Sequence, residues 1–204
     1  MKTIGTIQLL YLYLLNYMIQ IEEINRKFNA ELLQQIKGLL PKTHTYSLGM
    51  PSVILQSAQI PDLPIELRAS RLSDKAMQET HPFDLREIMD LPRAVQNPLA
   101  VFRSATHLGH YVVMTELEHG RKNFIVVLNN KPLKINSIRS IYPKNNEQIV
   151  KWIDDELLEY MDKQKTIEWI SKQRSNSADV RKLLNRVAKI IQNFENAKFE
   201  DKIV

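Results

Sequence analysis

Three apolar segments, VVMTELE, NFIVVLNN and KINSIRSIYPK, follow one another between Ser104 and Lys144 with only short polar breaks. Each alternates or is rich in β-branched residues. Gly109, the His119-Gly120-Arg121-Lys122 turn and Asn129-Asn130-Lys131-Pro132 bound them. That pattern predicts an antiparallel meander, because period-two apolar runs between turn residues pair with their neighbours. The last segment is basic, so the meander offers a surface suited to a phosphate-rich ligand.

With 204 residues the chain is long enough for one domain with a real core and too short for two full-size ones. A net charge of +5 and a pI near 9.3 favour an anionic partner, nucleic acid or acidic protein, without establishing one. The absence of cysteine excludes disulfides and thiolate metal sites and is compatible with a cytoplasmic location.

The opening MKTIGTIQLLYLYLLNYMIQI superficially resembles an export leader, but Gln8, Asn16 and Gln20 interrupt it, and Glu22-Glu23 follows at once without a small-x-small cleavage site. It is also too short and mixed for a spanning helix, so no stable membrane insertion is expected. Leu9, Leu10, Tyr13, Leu14, Tyr17 and Met18 fall at helical spacing. This favours a helix packed on its own domain or on a partner.

Helix continues from Ile21 to Leu39 and ends at Gly38 and Pro41; a loop over residues 42–49 follows. Pro51-Ser52 opens a short helix to Ala58, and residues 60–67 read as a strand or irregular cover. Ser70 and Asp74 suit a helix through Met77, Asp84 caps another through Met89, and Pro92 starts a turn. After the meander, one amphipathic helix is predicted from Asn145 with Ile149, Val150, Trp152, Ile153, Leu157, Leu158 and Met161 as its buried stripe. A shorter helix with Ile167, Trp169 and Ile170 comes next, and a basic one from Val180 to Phe194 closes the chain. The expected organisation is α+β, a small antiparallel meander sheet covered by helices, with helical extensions. Its parts are an apolar extension at 1–28, the main domain at 29–175 and a basic helix at 176–204.

No histidine pair or carboxylate cluster has metal-ligand spacing, no glycine-rich phosphate loop is present, and no G-x-S-x-G elbow occurs. No metal or cofactor is therefore expected. Acid–base chemistry on RNA remains: a base takes the 2′-hydroxyl proton, an acid protonates the leaving oxygen, and cations or hydroxyls stabilise the crowded phosphate. Thr115, Glu116, Asn136, Ser137, Arg139, Ser140, Tyr142 and Lys144 offer such groups on two strands, and His81 precedes them at a helix entrance. Each also has a bland reading: Thr115 and Ser137 as cross-strand pairs, Glu116 as a solvated face, Arg139 as an ion-pair partner, and His81 as capping-region surface.

The run HPFDLREIMDLPRAVQNPLAVFRSATHLGHYVVMTELEHGRKNFIVVLNN, with INSIRSIYPKNNEQIVKWIDDELLEYMDK and EWISKQRSNSADVRK after it, resembles the MuF C-terminal-type domain of phage and mobile-element proteins. That domain is grouped with the barnase/EndoU/colicin/RelE-like (BECR) nucleases. The resemblance spans residues 29–193 and is most specific at the His-Pro-Phe-Asp-Leu, Asn-Pro-Leu-Ala-Val-Phe and Ile-Asn-Ser-Ile-Arg-Ser-Ile-Tyr segments. It implies a small antiparallel sheet with packed helices and metal-independent RNA cleavage, as a toxin or effector module whose partners are RNA and an immunity or antitoxin protein. By position it implies His81, Ser104, Thr106, Thr115, Ser137 and Ser140 as site residues. The chemistry adds Glu116 and Arg139, with Arg103, Lys134 and Lys144 as phosphate ligands. A non-catalytic module binding nucleic acid or protein, or an inactive copy of the nuclease, remains the alternative.

Overall fold

The structure, a computed structural model, describes residues 2–130 and 134–172 together with Asn185. The chain divides into two compact units, 1–160 and 161–204. In the second, helix α6 (Lys163–Lys172) starts where the Asp162 carboxylate accepts the Lys165 N–H at 2.9 Å, a side-chain cap on an otherwise orphaned donor. The basic helix expected over Val180–Phe194 lies outside the described residues.

The first unit opens with helix α1 (Lys2–Ile36), which buries Ile21, Asn25, Phe28 and Leu32 at the three- and four-residue spacing of one helical face. Leu12, Leu15, Met18 and Ile19 are exposed. Gly38, at φ +71°, takes the left-handed step that ends the helix. There follow β1 (Thr45–Ser47), α2 (Val53–Ser57), β2 (Ile65–Arg68), α3 (Ala69–Ala76), a 3₁₀ turn (Leu85–Ile88) and α4 (Leu91–Gln96). Then come β3 (Ala100–Arg103), β4 (His110–His119), β5 (Lys122–Asn129), β6 (Asn136–Lys144), α5 (Asn146–Asp154) and β7 (Leu158–Met161). No helix among the described residues is long and apolar enough to cross a membrane.

The α+β expectation holds: one seven-stranded, mostly antiparallel sheet has the order β1-β2-β6-β5-β4-β3-β7, with the meander β4-β5-β6 and β3 at its centre. Alternation gives its strands two faces. Val113, Phe124, Val126 and Ile141 belong to the main core with Phe28 and Leu32 of α1, Leu72 of α3 and Val95 of α4. The opposite face carries Phe102, Met114 and Ile125, and Trp152 of α5 packs on Phe102 with ring centres 5.5 Å apart. Burying each such aromatic or aliphatic side chain contributes about 1.5–3 kcal/mol.

Several elements differ from the sequence reading. The predicted long helix after the meander stops at Asp154; Glu156 takes φ +55°, and residues 158–161 join the sheet as β7. The Arg103 N–H bonds the Leu157 carbonyl at 2.8 Å, so pairing beside β3 outweighs the helical pattern of Leu157, Leu158 and Met161. Asp84 caps a 3₁₀ turn rather than an α-helix. Residues 45–47, read as loop, form β1 because β2 offers them a ladder, and Pro92 sits inside the first turn of α4. β2 adds to β6 in parallel, only at Ile65–Asn136 and Glu66–Ser137. The C-terminal part of β6 thus forms a sheet edge, where Arg71 Nη1 donates to the Arg139 carbonyl at 3.2 Å.

Candidate functional site

The turn after α3 places His81 at this edge. Phe83 anchors it: the ring is buried edge-on against Phe124 at 5.0 Å, and its N–H bonds the Ala76 carbonyl at 3.2 Å. Asp84 and Glu87 close a capping box, the Asp84 carboxylate accepting from the Arg86 N–H and the Glu87 carboxylate from the Asp84 N–H. Two residues before Phe83, the His81 ring stacks on Tyr142, with centres 5.3 Å apart and planes 15° from parallel.

Lys144, two residues beyond Tyr142 and therefore on the same face of β6, holds its ammonium 5.5 Å from the Tyr142 ring centre and 5.7 Å from that of Trp152. At these distances the cation meets the negative faces of two rings. Burial lowers the Lys144 pKa below its ordinary 10.5 and raises that of the Tyr142 phenol. Burial first, then the charges of Lys144 and Lys122, holds His81 below the usual imidazole value of 6.5. Among the described residues no carboxylate forms an ion pair with Lys122 or Lys144. The arrangement is an imidazole stacked on a phenol, with the Lys144 ammonium over the same phenol ring and the charge of Lys122 also disfavouring protonation of the imidazole. It can take up an anion and remove a proton near it.

Of the residues singled out from the sequence, the structure brings His81, Tyr142 and Lys144 together. Ser140 shares their face of β6 but pairs with Val127, one step along from the Tyr142–Ile125 pair, about 7 Å away at strand spacing. Ser137 pairs with Asn129 near the far end of the strand, and Arg139 is exposed between them, where the β5–β6 register shifts. Thr115 is fully buried, its hydroxyl donating to the Phe124 carbonyl at 2.9 Å, and Glu116 is exposed on the irregular stretch of β4 beside it. Ser104 and Thr106 sit in the β3–β4 loop at the opposite end of the sheet from Lys144, where Ser104 Oγ accepts the His107 N–H at 3.2 Å. Exposed Lys134 precedes β6 at that same end, and Arg103 is held by Glu159 and by the Glu156 carbonyl.

Sequence reasoning did not include Lys122 or Trp152 in the site. Lys122 enters because the hairpin pairs it with His119, and Trp152 because α5 lies on the Phe102 face. Among the described residues no group of three or more His, Cys, Asp or Glu is placed to hold a metal ion. Clefts lie elsewhere, beside α1, among them one of about 630 Å³ against Gly49–Val53 and one of about 380 Å³ against Val53, Ile54 and Gln96.

Fold and cluster together define an α+β domain that presents a cation-flanked histidine at an open sheet edge. Residues 72–168, less than half of the chain but spanning every member of the cluster, match the family model of the phage MuF-C-terminal domain. No curated protein and no solved structure matches the chain.

Proposed function

We propose that the chain cleaves RNA without a metal ion, at the His81–Tyr142–Lys144 edge of the sheet. The observation that carries this reading is the His81 imidazole stacked on Tyr142, with Lys122 and Lys144 acting on it electrostatically. Neutral at physiological pH, His81 is free to accept the 2′-hydroxyl proton as that oxygen attacks the adjacent phosphorus. The two ammonium groups oppose the charge that develops on the non-bridging oxygens. The Tyr142 phenol, kept protonated, is a hydrogen-bond donor toward the same phosphate, and the Lys144 ammonium, more acidic than usual, supplies the proton for the leaving 5′-oxygen. Ser140 extends this face along β6, where a following nucleotide would lie.

The family match adds a phage setting, and in that setting a ribonuclease acts as a toxin or effector held in check by an immunity or antitoxin protein. The test is incubation of the purified chain with total and transfer RNA, with and without EDTA, beside His81→Ala. Cleavage that survives EDTA and is lost in the variant is the expected result. RNA that is retarded in a salt-dependent way yet left intact would replace this reading with that of a binding module.

A further inference from the structure

The capping box that follows His81 does more than close a turn. Both carboxylate oxygens of Glu87 lie 2.9 Å from the His119 ring nitrogen Nδ1, while Oε2 also accepts the Asp84 N–H at 2.9 Å. An ionised carboxylate only accepts, so Nδ1 is the nitrogen that carries the proton and donates. Asp84 lies three residues from His81. His119 is the last residue of β4 and pairs across the hairpin with Lys122. One carboxylate therefore ties the turn bearing the imidazole to the hairpin bearing the second ammonium group.

We infer that Glu87, through His119, is a positioning residue that holds the hairpin carrying Lys122 against the turn carrying His81. The inference rests on the reading of this cluster as the phosphodiester site, and it gives that site a part which contacts no substrate. Lys122 is exposed at a turn, and the Glu87–His119 contact ties that hairpin tip to the turn after α3, beyond the Phe83–Phe124 ring contact deeper in the sheet. Without the tie, both the hairpin tip and the His81 turn gain freedom, and the cation moves away from the imidazole. The electrostatic consequence has a distinctive sign. Losing the Glu87 charge would by itself make protonation of His81 harder, whereas losing Lys122 makes it easier. The opposing signs separate displacement of Lys122 from simple removal of a nearby charge.

The experiment follows the His81 ring by NMR across pH, with RNA cleavage measured in parallel, in the full chain and in Glu87→Ala, Glu87→Gln, Lys122→Ala and Glu87→Ala with Lys122→Ala. The His81 midpoint is expected to rise in Glu87→Ala and in Lys122→Ala, and not to rise further in the double variant. Cleavage should fall on the order of tenfold in Glu87→Ala and recover in part in Glu87→Gln, whose amide oxygen still accepts both N–H groups. His119→Ala, which removes the donor and leaves Glu87 in place, serves if Glu87→Ala does not fold, and should give the same rise. A midpoint that stays put or falls in Glu87→Ala overturns the inference. So does a rise of equal size in the absence of Lys122, which would mean mere loosening and hydration of the turn. If the wild-type chain leaves RNA intact while the titrations behave as expected, the ribonuclease reading falls and the positioning stands.

Discussion

Where α1 meets α4, Asp90 accepts side-chain amide N–H groups from both Asn25 and Asn29, and its own N–H donates to Asn29 Oδ1 at 2.9 Å. Beside it Gln96, almost wholly buried, accepts the Ser52 N–H at 2.7 Å and donates to the Leu48 and Met50 carbonyls at 2.9 and 2.8 Å. At the edge of β6, by contrast, two ammonium groups and an imidazole share a surface with no ion pair to Lys122 or Lys144 among the described residues. The first cluster spends its polar capacity internally, which lets Asp90 hold φ +67°, a backbone region costing about 1–3 kcal/mol for a non-glycine residue. The second leaves an electrostatic demand that a bound anion would meet. Polar groups that satisfy one another maintain a fold; like charges gathered at a surface build a potential that favours an anion.

The comparison breaks most readily at His81. His81→Ala should lower RNA cleavage by about 10²–10⁴-fold, the usual contribution of a general base, while leaving the denaturation midpoint close to wild type. An active His81→Ala protein would move the chemistry away from this edge. Gln96→Ala should do the reverse. It strands two carbonyls and an N–H in the interior, so denaturant titration should show a loss of about 2–4 kcal/mol, while His81 keeps its NMR titration. Lys144→Met should reduce the dependence of RNA affinity on log salt by about one unit, with stability unchanged or increased because a desolvated ammonium is removed. A marked destabilisation would instead make Lys144 part of the packing.

The smallest effect is in pH. Because His81 binds its proton less readily in the folded chain than at the ordinary 6.5, protonation favours unfolding, and this loss of stability begins as pH falls below 6.5. Asp90 is held below its usual 3.8, by the Asn29 hydrogen bond first, against burial, with Asn25 and Arg93 helping, so its contribution persists until pH falls below 3.8. Denaturation measured across pH should therefore show two separate windows, with the upper one absent in His81→Gln. An upper window that survived that substitution would belong to another group.

The meander was legible because VVMTE, NFIVVLNN and INSIRSIYPK carry their period-two signal within a few residues, and Gly120 and Asn129-Asn130 mark the reversals locally. His81, Tyr142 and Lys144 were legible as chemistry, and Asp84 as a cap, although it closes a 3₁₀ turn rather than an α-helix. The helix read through Leu157, Leu158 and Met161 went astray because the gain of pairing beside β3 is visible only once β3 is in place.

What the sequence determined by itself was thus whatever short-range periodicity, turn chemistry and residue type decide: the central strands, most helices, the basic character and the kinds of group available for catalysis. Which of those groups meet was decided by the tertiary structure. The short parallel strand β2 leaves the end of β6 as an edge, Phe83 seats the His81 turn beside it, and the Glu87–His119 contact holds the hairpin that carries Lys122. The same register carries Ser104 and Thr106 to the other end of the sheet. Distances between residues far apart in the chain follow from how layers pack and strands align, and no local pattern of side chains encodes them.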